Sequence, residues 1–140
     1  MVTKQISVFI ENRKGRLGEV LDVLRESRVN IISMSLADTA EYGLLRIISD
    51  KPQEGKTALS SAGFSSMLTD VFIVSVPHEP GALQKILHVI SDEELSVEYM
   101  YGLSVDSGEA SIVVKISDLS KADKVFAKYG IRTLGYNDLL

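Results

Sequence analysis

Asn12-Arg13-Lys14-Gly15-Arg16-Leu17-Gly18-Glu19-Val20-Leu21-Asp22-Val23-Leu24 returns later in the chain as His78-Glu79-Pro80-Gly81-Ala82-Leu83-Gln84-Lys85-Ile86-Leu87-His88-Val89-Ile90. Gly15 aligns with Gly81 and Leu17 with Leu83, at a constant shift of 81 − 15 = 66. Val20, Leu21 and Leu24 align with Ile86, Leu87 and Ile90. Each copy is a glycine turn opening a helix whose apolar residues fall three and four apart, one stripe facing a core. Ahead of each turn lies an alternating strand, Ile6-Ser7-Val8-Phe9-Ile10 and Phe72-Ile73-Val74-Ser75-Val76. The chain is a tandem repeat.

Outward from these turns, the first copy reads as strand, helix, strand, strand, helix, strand. Helical spacing covers residues 16–27, and strand alternation covers residues 29–36 and 44–48. Residues 37–43, Ala-Asp-Thr-Ala-Glu-Tyr-Gly, carry turn chemistry between those strands. A weaker helix follows at residues 53–62, with Gly63 as its stop and a short strand at residues 64–68. The second copy restarts at Asp70 with strand 71–76, helix 82–91 and strands 95–103 and 110–116. Asp106-Ser107-Gly108 is its hairpin turn, helix 120–129 ends at Gly130, and strand 131–134 closes it. The expected class is α+β: two tandem ferredoxin-like βαββαβ units, antiparallel sheets with helices on one face. The boundary falls between domains 1–69 and 70–140.

Units of about seventy residues bury a small fraction of their surface, so each should pack on its copy or on a second chain. The outer face of the second unit (Val71, Ile73, Tyr99, Tyr101) is more apolar than a solvated sheet face, which implies a cover. A formal charge of −4 and a pI near 5.2 argue against nucleic-acid or anionic-membrane partners. No cysteine is present, so thiol chemistry and disulfides are excluded, and a cytoplasmic location is natural. The opening residues Met1 to Ile6 lack a basic segment and long apolar core, so no signal peptide is expected.

The order of elements and the two turns together resemble the ACT domain, a small regulatory module that binds amino acids. His78-Glu79-Pro80-Gly81-Ala82-Leu83 fits its polar residue, Pro-Gly turn and leucine-led helix well. Asn12-Arg13-Lys14-Gly15-Arg16-Leu17 fits except at Lys14, which stands where proline is usual. Val29-Asn30-Ile31 and Leu95-Ser96-Val97 resemble the family's entry into its second strand. The tracts Ser35 to Gly43 and Val97 to Tyr101 resemble stand-alone tandem ACT proteins in particular. The resemblance covers nearly the whole chain, twice.

It implies an effector held between the turn of one unit and the second strand of a neighbour, across an ACT–ACT interface. The physical chemistry agrees, because a helix N-terminus offers unpaired N–H groups and partial positive charge to a carboxylate. The expected ligand contacts are Asn12, Arg13, Lys14, Gly15, Arg16, Leu17, Asn30 and Ile31 in the first copy. In the second they are His78, Pro80, Gly81, Ala82, Leu83, Ser96, Val97 and Tyr99. Plainer roles compete: tight turns for the glycines, capping for Asn12 and His78, a solvated face for the cations. Leu17 and Leu83 are core residues by spacing, and Tyr99 serves interface packing or a ligand wall. Asp38, Thr39 and Glu41 are hairpin polarity or partner contacts.

Other functions fit less well. Asp50 to Thr57 ends like a phosphate-binding loop but lacks the opening glycine, and Pro52 removes a needed N–H. His78 and His88 lack metal-ligand spacing, and no arginine-bearing acylphosphatase loop or nucleophile elbow is visible. The central strands lack the stacking aromatics of RNA-binding domains of this topology. The expectation is a non-enzymatic, amino-acid-binding regulatory protein without cofactor or metal. Its partners would be a free amino acid or similar small carboxylate, a second copy in a homodimer, and a separate target protein. The alternative is an oligomerisation or interaction module without a small-molecule ligand.

Overall fold

The computed structural model describes residues 1–38, 41–106 and 108–139. Thr39, Ala40 and Ser107, which fall in the two expected hairpin turns, lie outside the described residues, as does Leu140. The chain divides into two compact units, Lys4–Thr69, and Asp70–Leu140 together with Met1–Thr3.

In the first unit the order is β1 (Thr3–Glu11), α1 (Arg16–Glu26), β2 (Ile31–Asp38), β3 (Tyr42–Ser49), α2 (Pro52–Ser61) and the start of β4 (Ser65–Pro77). The strands run β2-β3-β1-β4 across the sheet, with β1 and β2 both antiparallel to β3. Strand alternation sends Ile6, Val8 and Ile10 inward, where they meet Val20 and Leu24 of α1 and Leu59 of α2. Each such buried aliphatic side chain contributes about 1.5–3 kcal/mol. Gly55 lets α2 lie close, since a Cβ there would stand 2.7 Å from Ile6 Cδ1.

The second unit repeats the plan with the latter part of β4, α3 (Ala82–Asp92), β5 (Val97–Asp106), β6 (Glu109–Ile116), α4 (Leu119–Lys128) and β7 (Thr133–Leu134). Its strands run β5-β6-β4-β7, and a 3-10 turn at Tyr136–Leu139 follows. Phe72, Val74 and Val76 pack with Ile90 of α3 and with Ala122, Val125 and Phe126 of α4. Phe72 and Phe126 meet edge to face at 5.0 Å. Val71 and Ile73, on the other face of the sheet, are also fully buried.

Several boundaries differ from the sequence reading, among them the last strand, which is confined to Thr133–Leu134. The separate strands expected at residues 64–68 and 71–76 are one uninterrupted strand, β4, because no breaker falls between them. The second strand of each unit starts two residues later than its apolar run, since Val29 and Leu95 belong to the preceding helix stop. There Val29 N–H donates to Leu24 O at 2.9 Å, and Leu95 N–H to Ile90 O at 3.0 Å. Each of the four α-helices among the described residues ends in this way, with the residue before it left-handed: Arg28 (φ 57), Gly63 (φ 91), Glu94 (φ 59) and Gly130 (φ 65). No helix among the described residues is long and apolar enough to cross a membrane.

Candidate functional site

The two glycine turns have the same backbone. Arg16 N–H donates to Arg13 O at 3.3 Å, as Ala82 N–H does to Glu79 O. Gly15 sits at φ 87, ψ −10 and Gly81 at φ 84, ψ −8, the third position of a type II turn, where glycine is required. Lys14 and Pro80 occupy the second position, which proline favours without being needed. Each turn is tied to the hairpin of its own unit: Asn12 N–H donates to Glu41 O at 3.1 Å, and His78 N–H to Gly108 O at 2.7 Å. Gly15 and Gly81 themselves take the cap position of their helices, with no side-chain cap.

The side chains on these equal backbones differ. Residues 12–16 carry three cations, Arg13, Lys14 and Arg16, whereas residues 78–82 carry no lysine or arginine. Arg16 is the most enclosed of the three, with a side chain only 16% exposed. Its guanidinium lies 4.0 Å from the Phe64 ring centroid, and its Nη1 donates to Glu19 at 2.6 Å. Its Nε is buried and has no acceptor. Arg13 is exposed and paired with Glu11 at 3.1 Å. In the second copy Ala82 replaces this arginine and is buried.

Beneath the first turn is a partly enclosed cavity of about 110 Å³. Glu11, Asn12 and Arg13 of the turn, Arg16 and Leu17 of α1, and Leu36 and Asp38 of β2 form its walls. Ile10 and Gly43, a register pair of β1 and β3, complete it. A Cβ on Gly43 would stand 3.1 Å from Leu36 Cδ1, so glycine there lets Leu36 lie close over the strand. Four expected ligand contacts, Asn12, Arg13, Arg16 and Leu17, thus share one cavity. Lys14 and Gly15 are exposed and do not line it.

Asn30 and Ile31 stand at the far end of α1, beside a wider, open hollow of about 470 Å³. The Asn30 backbone is tied to Asp50, its N–H donating to Oδ1 at 2.7 Å. Ser96 is tied in the same way to Ser117 at 3.1 Å. Val97 packs on its unit's core and Ile31 on the other, both partly buried. In the second unit His78, Pro80 and Gly81 are exposed, Leu83 is half-buried, and Tyr99 is half-buried in β5 opposite Lys115. Phe64 and Leu36 carry no polar signal, so sequence reasoning passed over them. Comparing Arg16 with Ala82 across the repeat would have marked the position.

The cavity thus lies beside the start of α1, where Arg16 and Leu17 line it. The family described as an ACT domain pair matches residues 1–138, and the chain belongs to it. Protein BT0572 from Bacteroides thetaiotaomicron, known from its crystal structure, is 37% identical, with 99% of this chain and 96% of that one covered and a TM-score of 0.93. The ligand-free regulatory subunit of aspartate kinase from Thermus thermophilus shares the fold at 16% identity, with 91% and 90% covered and a TM-score of 0.66. The same subunit from Thermus flavus covers 89% and 88% at 16% identity, with a TM-score of 0.63. No match was found among curated proteins.

Proposed function

We propose that this protein is a non-catalytic regulatory protein that senses a free amino acid at its glycine turns and passes the occupied state to a separate target. The observation that carries the reading is the cavity under the first turn, where Arg16 and Leu17 at the start of α1 meet Ile10 and Leu36. Its volume of about 110 Å³ suits a ligand of few heavy atoms. Drug-sized ligands take clefts of roughly 300–1,000 Å³. Membership of the ACT domain pair family supports the same reading.

The mechanism is linkage. A ligand that binds one packing arrangement better than another shifts the population toward it, by no more than its difference in affinity. Phe9, Leu36, Tyr42 and Met67 are apolar and at least 50% exposed, which supports a homodimer as the acting form. The test is a thermal-shift screen against the twenty common L-amino acids, with calorimetric titration of each hit. Ligand at about a hundred times its Kd adds near 2.7 kcal/mol of stability. One selective hit supports the sensor. Silence across the panel at millimolar concentration supports an interaction module instead.

A further inference from the structure

We infer that the exposed face of α4 docks a short acidic segment of a partner protein, with Lys121, Lys124 and Lys128 as its cations and Tyr129 as its aromatic contact. The inference requires a partner protein but no bound amino acid, so it stands apart from the sensor reading above.

Helical spacing buries Ala122, Val125 and Phe126 of α4, while Lys121, Lys124 and Lys128 fall three and four apart on another face. That stripe spans about 10 Å at 1.5 Å per residue. Residues 119–132 carry four cations and one acid, 4 − 1 = +3, whereas the remaining residues carry 11 − 18 = −7. Asp123, the one acid, is held by the Met1 ammonium at 2.5 Å. Among the described residues, Lys121, Lys124 and Arg132 make no side-chain ion pair. Lys128 and the Tyr129 hydroxyl both reach Glu93, at 3.3 and 2.9 Å. Tyr129 is 47% exposed, with Lys128 Nζ 5.1 Å from its ring centre.

The first copy shows that the fold needs none of these side chains. Beyond the β5 bulge between Gly102 and Ser104 the copies are offset by 67, as the caps Lys51 and Asp118 and the stops Gly63 and Gly130 indicate. On α2 the matching positions hold Glu54, Thr57 and Ser61, with Ala62 at that of Tyr129 and Ser65 at that of Arg132. Even so, α2 packs through Leu59 as α4 packs through Phe126. The basic stripe is an addition to α4.

Charge selects the occupant. At physiological salt the Debye length is about 8 Å, so the stripe acts only on charges close to it. Nucleic acid or an anionic membrane extends past about 10 Å, toward the exposed carboxylates of Asp92 and Glu94 and a remainder that is strongly acidic. A short acidic segment avoids that repulsion. Tyrosine is among the side chains that carry most of the binding energy at protein interfaces. Glu93 meanwhile competes with the partner's carboxylates for Lys128 and Tyr129.

The experiment is fluorescence anisotropy of a labelled octaglutamate peptide titrated with the full chain, at low and at physiological salt. Saturable binding that weakens with salt is expected. The triple variant Lys121→Gln, Lys124→Gln, Lys128→Gln should lose about tenfold in affinity, as three exposed ion pairs do. A second triple variant, Lys51→Gln, Lys56→Gln, Lys85→Gln, removes the same charge elsewhere and should change affinity by less than about twofold at physiological salt. Glu93→Gln should bind more tightly, because it releases Lys128 and Tyr129. Circular dichroism verifies the fold of each variant. Absence of binding, equal losses in the two triple variants, or tighter binding of a single-stranded DNA octamer or of phosphatidylserine vesicles than of the peptide overturns the inference.

Discussion

The guanidinium of Arg16 lies 4.0 Å from the centre of the Phe64 ring, joining the first residue of α1 to the residue just before β4. The aromatic face holds the cation by quadrupole attraction and fixes a long side chain that would otherwise sample many rotamers. Phe64 is 6% exposed, so the ring also closes the core beneath. Phe64→Leu keeps an apolar side chain there and removes the π face. The expected result is a loss of about 1 kcal/mol in urea unfolding at unchanged m value, together with weaker amino-acid binding.

Left-handed residues give paired predictions of opposite sign. Gly15 and Gly81 have φ near +85 with open space around a hypothetical Cβ, so an alanine there is opposed by backbone strain and not by neighbours. Gly15→Ala and Gly81→Ala should each lower stability by about 1–2 kcal/mol. Glu94 is a non-glycine residue at φ 59 in the stop of α3. Glu94→Gly should raise stability by up to about 1 kcal/mol, read from the shift in urea midpoint.

Two helical glycines separate packing from propensity. Gly18 lies exposed in α1 with nothing within 4 Å of a Cβ, so Gly18→Ala should stabilise by about 1 kcal/mol. Gly55 would gain the same helical preference, yet its Cβ would meet Ile6 at 2.7 Å and Leu24 and Val29 at 3.4 Å. Ile6 is fully buried and has no room to turn aside, so overpacking of about 1–3 kcal/mol outweighs the gain. Gly55→Ala should therefore lower the melting temperature while Gly18→Ala raises it.

Acid should release one surface contact. The Tyr129 hydroxyl donates to Glu93 at 2.9 Å and Lys128 Nζ at 3.3 Å, and these bonds hold the Glu93 carboxyl below its ordinary pKa. The hydrogen bond and charge of Glu93 in turn raise Lys128. A carboxyl depressed in the folded state stabilises above its unfolded pKa, and the contribution fades as pH falls through the folded value. The melting-temperature gap between the native chain and Glu93→Gln should therefore close between about pH 5 and pH 3. The same pair is lost at the alkaline end as pH rises through the raised Lys128 value, so its contribution is present between the two. A gap unchanged by acid would exclude the contact.

Much of the fold was legible because its signals are local. The glycine turns, the apolar stripes through Val20 and Leu24 and through Ile86 and Ile90, and the stops at Gly63 and Gly130 each lie within one or two turns of chain. Repetition at a shift of 66 made the whole frame readable from either half. The turn residues Asn12, Arg13, Arg16 and Leu17 were likewise marked by position.

The sequence by itself determined two βαββαβ units and where their turns fall, because helix and strand periodicity and glycine's freedom at positive φ act over a few residues. Tertiary structure alone decided that Arg28 and Glu94 end their helices without glycine, since burying Val29 and Leu95 offsets the backbone strain. It also decided that β4 runs unbroken and that Arg16 is stacked, half-buried and next to a cavity. Those outcomes depend on Phe64, Leu36 and Asp38 arriving from distant segments, and packing across such separations leaves no periodic trace in the chain.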